Sequence, residues 1–202
     1  MAYAYDYDDR LVSLTDATNT YSYKYSGMKD RIATVSSSGE ERYVLDVNRG
    51  LPEVLCRTNS SGTVTDYFVY GAAGLVSKIG SDDSVYYYHF DPTGNTIAMT
   101  DINQNMVNKY AYTPYGSVTK EGSVSNPFQY SGQFGVMADN SGLYFMRARF
   151  YHPDMMRFIS LDKKWGEVGN PQSLNLYAYV QGNRLWGWIL VGIRYLLVLF
   201  QL

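Results

Sequence analysis

The chain has 202 residues, a net charge of −2 and 46% hydrophobic residues, which suits one domain, or a piece of a larger protein, with a core. It lacks the basic surplus that a phosphate-binding surface needs, so nucleic acid is not expected as a partner. Its 21 Tyr, 18 Gly and 6 Pro point to an all-β chain, because Tyr suits half-buried strands while Gly and Pro suit tight turns.

The opening MAYAYDYDD has neither a basic region nor an apolar run, so no signal peptide is expected. It reads as the interior of a strand pattern, as in a truncated product of something longer. Tyr-centred strands then recur: YAYDYDDRLVSL, YSYKYSGMKDRIATV, YVLDVNRGLPEVL, YFVYGAAGLVSKI, YYYHFDPTGNTIAMT and KYAYTPYGSVTK. Tyr5, Tyr23, Tyr43, Tyr67, Tyr88, Tyr110, Tyr130 and Tyr151 lie 18 to 24 residues apart, a repeat signature. In each unit a strand alternates, with Tyr21, Tyr23 and Tyr25 on one face and Ser22, Lys24 and Ser26 on the other. A Gly- or Asp-containing turn follows, and a second apolar strand returns, as over 32–35, 75–79 and 96–99. The expected fold is an antiparallel sheet of stacked Tyr-rich β-hairpins, each needing its neighbours to bury its face. Asp6, Asp8 and Asp9 read as a solvated face or as edge protection.

These units are similar to the Rhs/YD-repeat family. The theme Y-x-Y-D-x-x-x-R-L stands near YDYDDRL and YKYSGMKDRI, and the stretch from FQYSGQFGVMADN through NLYAYVQGN resembles the Rhs repeat-associated core domain. The resemblance spans about Met1 to Asn183. It implies repeat hairpins over 1–120, a core or plug region over 121–183, and a divergent tail over 184–202. It further implies a spiralling β-cocoon that encloses a C-terminal toxin, with the core plugging one end and releasing the toxin by aspartyl-type self-cleavage. The partners so implied are the upstream repeats, the toxin domain with its immunity protein, and a secretion apparatus. The implied location of the full-length protein is secreted or on the cell surface.

Within GLYFMRARFYHPDMMRFISLD, strand alternation sets Tyr144, Met146, Ala148 and Phe150 on one face and Phe145, Arg147, Arg149 and Tyr151 on the other. Phe158, Ser160 and Asp162 share a face further on, and the intervening HPD turn lets a hairpin join Arg149 to Asp162. By resemblance, Arg149 and Asp162 take the place of the family's self-cleavage pair, an Arg holding an Asp charged and oriented. The alternative is a buried ion pair that locks the plug to the sheet, with Arg147 and Arg157 stacked on Tyr rings. The chain departs from the family pattern at HPDMMRF, where Met156 replaces a Gly and His152 an Asp. No Asp follows Asp162, so the family's scissile Asp-Pro-x-Gly segment is missing.

The tail from Leu185 is strongly apolar and carries Arg194. It reads as a short membrane helix, as a core element, or as a frameshift, and the frameshift is preferred. WILVG at Trp188–Gly192 has codons that yield Asp-Pro-Ser-Gly one frame over. Only this tail would bring the chain to a membrane.

His89, His152 and the single Cys56 have no metal-ligand spacing, and no cofactor is expected. Asp91-Pro92-Thr93-Gly94 reads as a turn. Three functions follow. One is a shell-and-plug fragment of a toxin-delivery protein, without enzymatic activity as the chain stands. The second is a self-cleaving aspartyl protease that uses Arg149 and Asp162. The third is a surface adhesion module that binds carbohydrate through its Tyr-rich faces.

Overall fold

The computed structural model describes residues 1–48, 50–163 and 165–180, and the backbone of 189–191 and 194–196. Its main element is a twelve-stranded antiparallel sheet in strict sequence order. The strands are β1 (Ala2–Tyr5), β2 (Leu11–Thr15), β3 (Thr20–Tyr25), β4 (Arg31–Ser36), β5 (Gly39–Asp46) and β6 (Glu53–Asn59). They continue with β7 (Val64–Gly71), β8 (Gly74–Gly80), β9 (Val85–Phe90), β10 (Thr96–Thr100), β11 (Met106–Tyr112) and β12 (Val118–Gly122). A second, four-stranded sheet follows: β13 (Met137–Ala138), β14 (Tyr144–Met146), β15 (Arg149–His152) and β16 (Arg157–Phe158). It packs on the inner face of the first, so that Tyr23 and Phe68 of the large sheet join Phe128, Phe145 and Phe150 in one core. In the tail, β17 (Ile189–Val191) pairs antiparallel with β18 (Arg194–Leu196). The rest of the tail, on which most of the frameshift and membrane readings fall, lies outside the described residues. Among the described residues no helix is long and apolar enough to cross a membrane.

One turn formula makes the hairpins. The first residue's carbonyl accepts from the fourth residue's N–H while its own N–H donates to the fifth residue's carbonyl. This occurs at 6–10, 26–30, 59–63, 80–84, 91–95, 101–105, 113–117 and 139–143. The first side chain is often Asp, Asn or Ser, whose oxygen accepts the N–H groups of the third and fifth residues, as Asp91 does from Thr93 and Asn95. The fourth residue is left-handed: Gly62, Gly94, Gly116 and Gly142, but also Asp9, Lys29, Asp83 and Gln104. Asp6 is therefore a turn former rather than a solvated charge. It accepts the backbone N–H groups of Asp8 and Arg10 and pairs with the Arg10 guanidinium.

The returning strands differ from the expected plain alternation. Each opens on a β-bulge in which Val12, Ile32, Leu55, Val76 or Ile97 is the extra residue. The residue just before it, Leu11, Arg31, Val54, Leu75 or Thr96, points inward and is buried, while Ile32, Leu55, Val76 and Ile97 are exposed on the outer face. The bulge also ends pairing with the next strand early, which leaves a backbone carbonyl free. A Tyr hydroxyl on the next strand takes it: Tyr25 donates to Leu11 O at 2.7 Å, Tyr70 to Val54 O at 3.0 Å and Tyr112 to Thr96 O at 2.8 Å. Tyrosine therefore buries its ring and satisfies its hydroxyl in one step.

Tyr130 and Tyr151 of the periodic series are buried in a separate cluster with the second sheet, and two more lie outside this inner row. Tyr67 is 49% exposed and Phe68 fills the inward position, because the bulge at Thr65 between β6 and β7 shifts the register by one residue. Tyr5, on the edge strand, is 39% exposed and reaches across to donate to Ile159 O.

Candidate functional site

The stretch 144–151 is not the single strand that alternation suggests. It reverses at Arg147 and Ala148, so that Tyr144 faces Tyr151 and Phe145 faces Phe150. Arg147 takes a left-handed φ of 64° to make the turn, and it stacks on no Tyr ring; its Nη2 donates to Phe134 O at 2.8 Å. Burial pulls its guanidinium below the ordinary arginine value. A second reversal over 153–156 carries Met156 at φ 56°, so the turn forms although the position suits glycine.

That second hairpin delivers Asp162 to Arg149. Arg149 Nη2 lies 2.6 Å from Asp162 Oδ2, with side chains 10% and 24% exposed. The guanidinium packs 3.7 Å from the centroid of Phe158. Burial pulls Arg149 below its ordinary value and the Asp162 carboxylate opposes that shift. The Leu176 carbonyl accepts both from Arg149 Nη1, at 3.1 Å, and from the backbone N–H of Asp162, at 3.0 Å. Phe158 N–H donates to Tyr177 O, and Arg157 stacks on Tyr177 as the sequence suggests. The ion pair therefore clasps the extended segment that runs to Val180. His152 stands three residues beyond Arg149 on β15 and accepts weakly from Met155 N–H, at 3.4 Å. The pair sets one carboxylate beside a clamped backbone.

Polar contacts from the second sheet and its turns to the large sheet span long stretches of sequence. Arg31 Nη1 meets Asp139 Oδ2 at 2.9 Å, with side chains only 1% and 2% exposed. The Arg31 guanidinium lies over Phe145 at 4.4 Å and Tyr43 at 5.0 Å. Tyr144 and Tyr151 donate to Gly116 O and Tyr115 O, both at 2.8 Å. On the sheet itself Asp66 pairs with both Arg57 and Lys78, and Arg57 also with Glu41. Burial raises the Asp66 pKa, but its two cations bring it below the ordinary value. Arg31, Asp139 and the Asp66 cluster stand in no sequence motif that points to a site. A signal existed for Arg31, which is the one charged residue in an inward position otherwise held by Leu11, Val54, Leu75 and Thr96.

A sequence model of the teneurin YD-shell family matches residues 57–185, more than half of the chain. The chain belongs to this family. The tRNA nuclease WapA of Bacillus subtilis (strain 168) is 29% identical to this YD-shell chain over 205 residues, covering 94% of the chain and 9% of WapA. Teneurin-1 of Gallus gallus is 24% identical over 172 residues, covering 79% of the chain and 6% of that protein. The crystal structure of TcdB2-TccC3 superposes with a TM-score of 0.63 over 89% of the chain and 10% of its own, at 20% identity, which shows a shared fold. The chain thus spans about a tenth of the length of these proteins. Among the described residues no group of His, Cys, Asp and Glu is placed to hold a metal ion.

Proposed function

We propose that this chain is the closing wall and plug of an Rhs-type shell that packages a toxin for delivery outside the producing cell, with hairpins over 1–120 as wall and 121–183 as plug. The observation that carries this reading is a Tyr-lined sheet whose inner face is filled by its own downstream segment and tied to it by the buried Arg31–Asp139 pair. The likeness to WapA, named as a tRNA nuclease, supports a toxin as cargo. Upstream repeats would continue the sheet at β1, and the toxin, its immunity protein and a secretion apparatus would be the partners. The test is limited proteolysis of the chain joined to its genomic flanks. A downstream domain that resists protease only while the shell is intact is the expected result, and equal digestion with and without the shell would refute it.

A second reading, self-cleavage, is favoured by one feature: Arg149 and Asp162 meet on the Leu176 carbonyl, four residues before Val180. Intact mass over several days tests it. Cleavage beyond Val180 that is lost in Asp162→Asn would establish it, and an unchanged mass in the wild type leaves the pair as a structural clasp. For the third reading, a carbohydrate-binding adhesion module, no glycan retained on an array is the expected result, because the inward tyrosines spend their rings and hydroxyls within the protein.

A further inference from the structure

The large sheet ends at β12, whose outer edge has no partner strand among the described residues. The Thr113–Ser117 backbone hydrogen bond closes the β11–β12 hairpin. Counted from it, antiparallel alternation through Tyr112↔Val118, Ala111↔Thr119 and Tyr110↔Lys120 turns the N–H and C=O groups of Val118, Lys120 and Gly122 to that free edge. All five residues of β12 are exposed. Beside the edge lies a cleft of about 760 Å³, bounded by Val118 and Lys120 on β12, by Glu40 and Glu41 on β5, by Arg57 on β6, and by Asp139. Five charged side chains line it. Glu41 and Arg57 pair with each other, Glu40 with Lys24 and Arg42, and Asp139 with Arg31. Lys120 alone makes no ion pair among the described residues.

We propose that this edge and cleft bind an extended segment of a second, non-identical polypeptide, added as a thirteenth strand with an acidic side chain beside Lys120. The backbone ladder supplies affinity and Lys120 supplies selectivity, as in strand addition to sheet edges generally. A strand matching β12 is five residues, about 17 Å at about 3.3 Å per residue. Copies of this chain fit poorly. β1, with the sequence AYAY, brings no acid to Lys120, and two β12 strands paired along their whole length set Lys120 against Lys120.

The test uses the full 202-residue chain and a fluorescent pentapeptide, Thr-Val-Glu-Val-Thr, against the same peptide with Lys for Glu. The expected result is binding of the Glu peptide at least about tenfold tighter, with slowed hydrogen exchange at the amides of Val118, Lys120 and Gly122. Lys120→Glu should reverse the preference. Lys120→Pro removes an edge donor that β11 does not use, and should abolish binding of both peptides. Equal binding of the two peptides, no binding, protection on β1 instead, or a dimer that covers β12 in size-exclusion chromatography would each overturn the assignment. If Lys120→Pro fails to fold, the charge reversal by Lys120→Glu still decides.

Discussion

The twelve-stranded sheet, here called the wall, and the small sheet packed on it, here called the plug, are held by different kinds of contact. In the wall every strand pairs with its neighbour in sequence, and the Tyr hydroxyls that join hairpins reach only 14 to 16 residues back. The plug's own sheet is small, two to four residues per strand, and its seat depends on partners 108 residues away, as in Arg31 with Asp139. Repetition thus builds a surface from local rules, while a unique filling of that surface needs buried polar pairs that fit at one place only.

Alkaline pH should have the largest effect, and it acts on both regions at once. Burial raises Tyr43 to about 12, and it pushes Tyr23, Tyr25, Tyr70, Tyr112 and Tyr144 up as well. A group whose pKa is raised by folding contributes stability that is complete below its unfolded value and lost above it. Stability should therefore fall steeply above pH 10, the ordinary tyrosine value. Tyr43 alone accounts for about 3 kcal/mol once the pH passes its native pKa. Ionisation of the buried tyrosines should come only with loss of far-ultraviolet β signal; phenolate formation by every tyrosine without unfolding would contradict the burial. Because Tyr144 sits on the plug and Tyr43, Tyr70 and Tyr112 on the wall, both regions should fail together.

Asp139→Asn separates them. It leaves the Arg31 charge buried without its partner, and should cost about 3–5 kcal/mol in urea unfolding. Hydrogen exchange should show plug amides losing protection before those of β6 to β11. Uniform loss across both regions would mean that wall and plug form one cooperative unit.

The smallest effect sharpens the picture of the wall. Gln104 holds the left-handed turn position that Gly62, Gly94 and Gly116 hold elsewhere. Gln104→Gly should stabilise by about 0.5–1 kcal/mol, read as a raised urea midpoint, with the plug unaffected. A loss of stability would show that the turns are not equivalent.

Much of the wall was legible from sequence because its rules are short. Alternation has a period of two, the turn is five residues long, and Tyr21, Tyr23 and Tyr25 fall where both rules put them. The bulges were not legible. An extra Val76 or Ile97 looks like any strand residue, yet it reverses the facing of what precedes it, and a further bulge at Thr65 goes with the failure of the count of periodic tyrosines at Tyr67. At the candidate site the approach of Arg149 to Asp162 was readable from the HPD turn, whereas the reversal at Arg147 was hidden inside an apparently regular strand.

By itself the sequence determined an all-β chain, hairpins in sequence order and the turn positions, because alternation and turn chemistry act within a few residues. Only the tertiary structure decided which face is inside, where the plug seats, and which charges are buried together. Those outcomes depend on desolvation, and a charge leaves water at low cost only beside a partner that the fold brings from far along the chain.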